Sequence, residues 1–184
     1  MKGTMRTEAK SMNPQQYQPA SADGQKQLQA FRSFIESLQE PIYRLAHRLL
    51  QDRELAAQEV ERTFVELFRR QAEQGFVPTT ASMTTAAYRM LIHRCKMAKA
   101  SGKRRLKPGK LGPRTILEAV DALPDEVKLL VSLKYECRLS YEEIGEILEM
   151  PPERVKKALW RSRERLSEWM EEPRSPLSFG LIMH

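Results

Sequence analysis

Between Glu153 and Arg165 the chain carries six basic side chains against two acidic ones. At helical pitch, about 100° per residue, Lys157, Trp160, Arg161 and Glu164 fall opposite an apolar stripe of Val155, Leu159 and Leu166. Ser162 shares the stripe's side, and Arg154, Lys156, Arg163 and Arg165 flank it. A helix charged in this way suits a major groove, where cations hold phosphates and outward side chains reach base edges. A solvated basic helix in an ordinary bundle would carry the same charges, but the preceding segment favours the groove. Ser140 and Glu143 have the spacing of a capping box, in which hydroxyl and carboxylate each take an amide that the first helical turn leaves unpaired. Ile144, Ile147 and Leu148 then repeat at helical spacing, and Glu149-Met150-Pro151-Pro152 supplies a turn, because proline is tolerated only in a helix's first positions. The segment from Leu139 to Leu166 therefore reads as a helix-turn-helix with a basic second helix.

A second positive block lies upstream. No acid occurs between Glu73 and Glu118, whereas ten Lys and Arg do, out of a net charge of +7. The other 21 bases face 24 acids, so the excess is segregated, as expected of a surface or linker that meets a polyanion. A basic linker without a dedicated ligand is the plainer alternative. A membrane surface fits less well, since the block has no sustained apolar face rich in Trp or Phe. Gly102-Lys103 invites comparison with a phosphate-binding loop, but Met97 stands where the upstream glycine belongs and Arg104 where Ser or Thr is needed. His47, His93 and His184 have no catalytic partners in view, and Cys95 and Cys137 form no metal-ligand spacing. No enzymatic activity, cofactor, metal or small-molecule substrate is expected. Two unpaired thiols, an N-terminus without the apolar core of a signal peptide and no apolar run of membrane-span length predict a cytoplasmic protein without membrane insertion.

Few aromatics and eight glycines in 184 residues point to an all-α fold. Residues 1–24, rich in Gln, Ser, Pro and Ala, read as a flexible tail. Leu28, Phe31, Ile35 and Leu38 mark a first helix that stops before Pro41, and Pro41 opens a second with Ile42, Leu45, Ala46, Leu49 and Leu50 inward. Asp52 is the expected N-cap of a third helix that buries Ala56, Val60, Thr63, Phe64 and Leu67. Gly75 to Ser82 reads as a loop, followed by a helix from about Thr84 to Lys99 that buries Tyr88, Leu91, Ile92 and Cys95. Residues 100–113 combine Gly, Pro and positive charge as a linker, which splits the chain into helical domains at 25–99 and 114–170. In the second domain Pro124 opens a helix through Tyr135 ahead of the helix-turn-helix. The tail 171–184 shows no periodicity, and its apolar end either docks on a neighbour or stays unstructured.

Taken together, residues from about 26 to 170 resemble bacterial sigma factors of the extracytoplasmic-function type, which have two helical domains joined by a linker. The C-terminal half carries most of the likeness. Against the family pattern LSxEEIAxxLxxPxGTVKSRLxRARxxL, this chain keeps Leu139 to Ile144 apart from the variable position, then Leu148, Pro151, Val155-Lys156, Leu159, Arg161, Arg163 and Leu166, with Leu123-Pro124 upstream. Glu153, Arg154 and Ala158 replace the usual Gly, Thr and Arg. The N-terminal half is more eroded. Ala56, Val60 and Phe64 keep core positions of the family's polymerase-docking run, while Gln58, Glu61 and Arg62 replace Asp, Gln and an acid on its docking face. Cys95 stands for the Asn of the strand-opening pattern, and Lys99 for its Asp.

What the resemblance implies is a sigma factor that directs RNA polymerase to promoters, with promoter DNA, core polymerase and an anti-sigma factor as partners. Arg154, Lys156, Lys157, Trp160, Arg161 and Arg163 would bind the −35 element. Arg89, Arg94, Lys96 and Lys99, with Lys103, Arg104 and Arg105 of the linker, would hold the opened −10 strand. Gln58, Glu61, Arg62, Val65 and Phe68 would face the polymerase. The departures on the docking face and at Cys95 also suit a sigma-like mimic, one that binds an anti-sigma factor or another regulator without starting transcription. A plain DNA-binding repressor or activator working through its C-terminal half alone is the third reading.

Overall fold

The computed structural model describes residues 22–74, 80–101, 120–121 and 123–171. Among them the fold is all-α, with no strand: α1 (Ala22–Leu50), α2 (Arg53–Gln74), α3 (Thr80–Ala100), α4 (Asp125–Val131) running into a π-helical turn (Ser132–Glu136), α5 (Tyr141–Leu148) and α6 (Pro152–Glu171). No helix among the described residues is long and apolar enough to cross a membrane. The linker at 102–113 and the tail from 172 lie outside the described residues, as do 1–21.

The first two expected helices are one. α1 passes straight through Pro41, which sits half-buried inside it. Pro41 lacks the amide that would bond to the Ser37 carbonyl, yet the flanking apolar residues keep a single periodic face: Phe31, Phe34, Leu38, Ile42, Leu45 and Leu49 are all buried. Packing along 29 residues outweighs one missing hydrogen bond. Asp52 caps α2 as its type suggested, Oδ1 accepting from the Leu55 amide at 3.0 Å. The loop expected through Ser82 is shorter than that, because α3 already begins at Thr80, where the Thr84 hydroxyl donates to the Thr80 carbonyl; residues 75–79 lie outside the described part.

Helices α1, α2 and α3 pack together around a core that includes Phe31, Phe64, Leu91 and the fully buried Thr63. Phe31 and Phe68 meet with ring centroids 5.2 Å apart, so Phe68 belongs to this core. The C-terminal helices form a second cluster around Leu133, Ile144, Val155 and Leu159, and the two clusters are continuous. At their seam the Tyr88 hydroxyl of α3 lies beside the Cys137 thiol. That thiol in turn donates to the Pro41 carbonyl of α1 at 3.6 Å.

Both cysteines are free. Burial, with Glu59 nearby, pushes the Cys95 thiol up to about 12. Burial likewise pushes Cys137 up to about 11, against the opposing hydrogen bond from Tyr88. A thiol whose folded pKa lies above its unfolded value leaves stability intact below the unfolded pKa and removes it as pH climbs to the folded one. Denaturant midpoints should therefore hold to about pH 8.5 and fall between there and about pH 12, and Cys95→Ser should flatten the fall. A disulfide-exchange reagent at pH 8 should modify Cys95 only at the unfolding rate.

Candidate nucleic-acid interface

The helix-turn-helix is built by local hydrogen bonds. At the start of α5 the Ser140 hydroxyl accepts from the Glu143 amide at 3.0 Å, and the Ser140 amide donates to the Glu143 carboxylate at 2.7 Å. At its end Glu149 adopts the left-handed conformation (φ 56°), and the Met150 amide returns to the Gly145 carbonyl at 2.9 Å. This is a Schellman closure on a residue other than glycine. The glycine sits one turn earlier: a Cβ at Gly145 would lie 2.7 Å from the Met150 carbonyl oxygen. Gly145 is thus what lets the turn fold back tightly. Sequence reasoning passed over it, although a lone glycine inside a helical pattern is a recognised mark of close approach. After the turn, the Arg154 and Val155 amides both donate to the Pro151 carbonyl and start α6.

α6 turns Val155, Leu159 and Ser162 inward, with Ser162 donating to the Ala158 carbonyl at 2.7 Å. Arg154, Lys156, Lys157, Trp160, Arg161 and Arg163 are all exposed. The side chains of Arg165 and Leu166 lie outside the described residues. None of the five exposed bases is within ion-pair distance of a described carboxylate, although seven of the other arginines and lysines are. Among the described residues these cations are unpaired, in a row on one helix face that follows a capped turn. Residues 114–166 match the family model of sigma-70, region 4. No curated protein matches the chain.

The match covers α4, α5 and most of α6, and it supports a sigma-type role for this module: non-enzymatic DNA binding at transcription initiation, with promoter DNA and RNA polymerase as the partners it implies. Among the described residues no cluster of His, Cys, Asp or Glu is arranged to hold a metal.

The bases of the upstream set are placed quite differently from those of the region 4 module. Arg89 donates through Nε and Nη2 to the Glu146 carbonyl at the end of α5, and its Nη1 lies 3.3 Å from Glu149. A cation there also meets the negative end of the α5 dipole. Thr85 adds a hydroxyl 3.4 Å from the Glu146 carboxylate. Arg94 lies 3.7 Å from the buried Glu59, and Lys99 pairs with Asp125 at 2.7 Å. Lys96 is exposed. Lys103, Arg104 and Arg105 lie outside the described residues.

Arg48 clamps the same seam, reaching Glu136 at 2.6 Å and Asp121 at 3.0 Å. Burial works against its charge, and the two carboxylates more than offset that, so its pKa is raised. Burial and then the neighbouring Lys99 ammonium hold Lys128 below its ordinary value. No sequence signal could have found the Arg48 and Arg89 contacts, which join residues 57 to 88 positions apart.

On α2, Gln58, Glu61 and Arg62 are exposed and Val65 is half-buried. Arg62 is drawn to Glu59 at 2.7 Å. With Phe68 turned into the core, what α2 offers a partner is a polar strip.

Proposed function

We propose that the chain is a sigma-type initiation factor that directs RNA polymerase to promoters. α6 of the region 4 module reads the −35 element, α3 and the linker bases attend the opened −10 strand, and the strip Gln58, Glu61, Arg62 and Val65 meets the polymerase. The observation that carries this reading is the row of exposed bases on α6 that have no ion-pair partner among the described residues, since phosphate contacts supply most of the affinity and fix the register from which bases are read. An anti-sigma factor is a further proposed partner. Reconstitution with core polymerase tests the reading: promoter-specific run-off transcripts support it, and their absence with polymerase bound would sink it.

Lys156→Ala should weaken binding to every duplex alike and reduce the slope of log affinity against log salt by about one unit. Arg161→Ala should cost roughly 1–3 kcal/mol on the preferred site and relax specificity there. Equal loss on preferred and random duplexes would remove Arg161 from base reading.

A second reading draws on Arg89, Arg94 and Lys99, which are held by carboxylates in the chain itself. A sigma-like mimic needs no free strand-binding face, and it would bind an anti-sigma factor or other regulator without yielding transcripts. Glu149→Gln, which removes the ion pair of Arg89 without adding a cation, separates the two readings. Releasing Arg89 should raise single-stranded DNA affinity several-fold at low salt for an initiation factor, and leave a mimic's affinity near zero.

A further inference from the structure

Trp160 lies midway along the outward face of α6 and is 60% exposed. Its indole has neither a ring nor a hydrogen-bond partner among the described residues. A single exposed apolar side chain is ordinary on a protein surface. Its surroundings are not: Lys156, Lys157, Arg161 and Arg163 are exposed within one turn on either side. An apolar protein partner docking on the ring would have to strip water from these cations, whereas a polyanion would welcome them.

The face also has a phase. Lys157, Trp160 and Arg161 form its centre line, opposite buried Val155 and Leu159, while Arg154, Lys156 and Arg163 flank it. Flanking bases on a groove-bound helix reach the phosphate walls, and the centre line meets base edges. There the major groove presents one apolar group, the C5 methyl of thymine, beside the O4 acceptor. Indole combines an apolar body with a single N–H donor and no acceptor. Cytosine offers a donor and no methyl, guanine two acceptors and no methyl, adenine a donor beside its acceptor. Thymine is the complement to an indole.

We infer that Trp160 is a specificity-determining residue that reads a thymine through its C5 methyl. The inference rests on the groove-binding role proposed for α6 and adds to it the base being read and the group that reads it.

The test uses the full chain and a duplex selected from a random 25-base-pair pool. Each thymine of the protected site is replaced in turn by uracil, which keeps the pairing and O4 but lacks the methyl. One replacement should weaken binding about four-fold, the worth of one buried methyl, and the same replacement should cost Trp160→Ala less than two-fold. Trp160→Phe should keep the uracil penalty, because the ring remains. All three proteins should show the same salt slope, since no phosphate contact is lost.

Three results overturn the inference while leaving groove binding intact: no uracil replacement matters to the unaltered chain, the penalty persists in Trp160→Ala, or Trp160→Ala loses equally on selected and random duplexes. Retained duplex binding with weakened retention of core polymerase would assign the ring to a protein contact and overturn it likewise. Failure to enrich any duplex would overturn the groove-binding role itself, and the inference with it.

Discussion

Gly145→Val should cost the region 4 module about 3 kcal/mol of stability and should weaken duplex binding by more than that loss alone explains. Even an alanine Cβ would meet the Met150 carbonyl at 2.7 Å, with Pro152 N and Cδ close behind at 3.5 and 3.6 Å. These are backbone and ring atoms of the turn itself, not the end of a side chain that swings away. Valine adds a branched carbon to the same wall and restricts χ1 against the preceding helical turn. Its better helix propensity than glycine returns only about 0.5 kcal/mol. The strain therefore goes into the turn, which opens and re-aims α6. Because the exposed bases of α6 work only in the register that the turn sets, urea midpoint and duplex affinity should fall together, with Gly145→Ala between valine and the unaltered chain. A valine variant with unaltered midpoint and affinity would mean that the turn gives way freely and that Gly145 does not position the helix.

Which features could be read from the chain beforehand depended on how far apart the interacting groups lie. The capping box of Ser140 and Glu143 and the Asp52 cap need only three residues of sequence, and both are formed. The inward stripe of Val155, Leu159 and Ser162 follows from periodicity alone. Helix ends were harder, because Gln51, Arg138 and Glu149 take the left-handed conformation at φ 54°, 58° and 56° without being glycine. Each carries a local cost of roughly 1–2 kcal/mol, offset at Glu149 by the hydrogen bonds that close the turn. Pro41 misled for the opposite reason: a rule about one missing amide was applied where a long buried face decides. The fate of Arg89, Lys99 and Phe68 was beyond local reasoning, since partners on other helices settle it. Sequence places a base on a helix face; only the fold says whether a carboxylate has already claimed it.

Arg48 offers the sharpest measure of how firmly the two halves are held. Nε and Nη2 bond to Glu136 Oε1 at 2.9 and 2.6 Å, and Nη1 to Asp121 Oδ1 at 3.0 Å. The other carboxylate oxygen, Glu136 Oε2, is buried without a partner. Arg48→Ala would thus leave a carboxylate with both oxygens unpaired, facing a second acid. Breaking a fully buried pair costs about 3–5 kcal/mol, but these side chains are 17%, 22% and 35% exposed for Arg48, Glu136 and Asp121, and solvent screening brings the expectation down to about 2 kcal/mol. Most of that cost comes from the stranded charge rather than from the lost bonds. Glu136→Gln in the Arg48→Ala background should therefore recover about 1 kcal/mol, a coupling readable from urea midpoints of the two single variants and the double. The radius of gyration should increase in Arg48→Ala and fall back in the double variant, because the pair ties α1 to the region 4 module. If Arg48→Ala costs no more than an ordinary surface truncation, the seam is held by the Tyr88–Cys137–Pro41 contact and its apolar surroundings, and the charged clamp contributes only orientation.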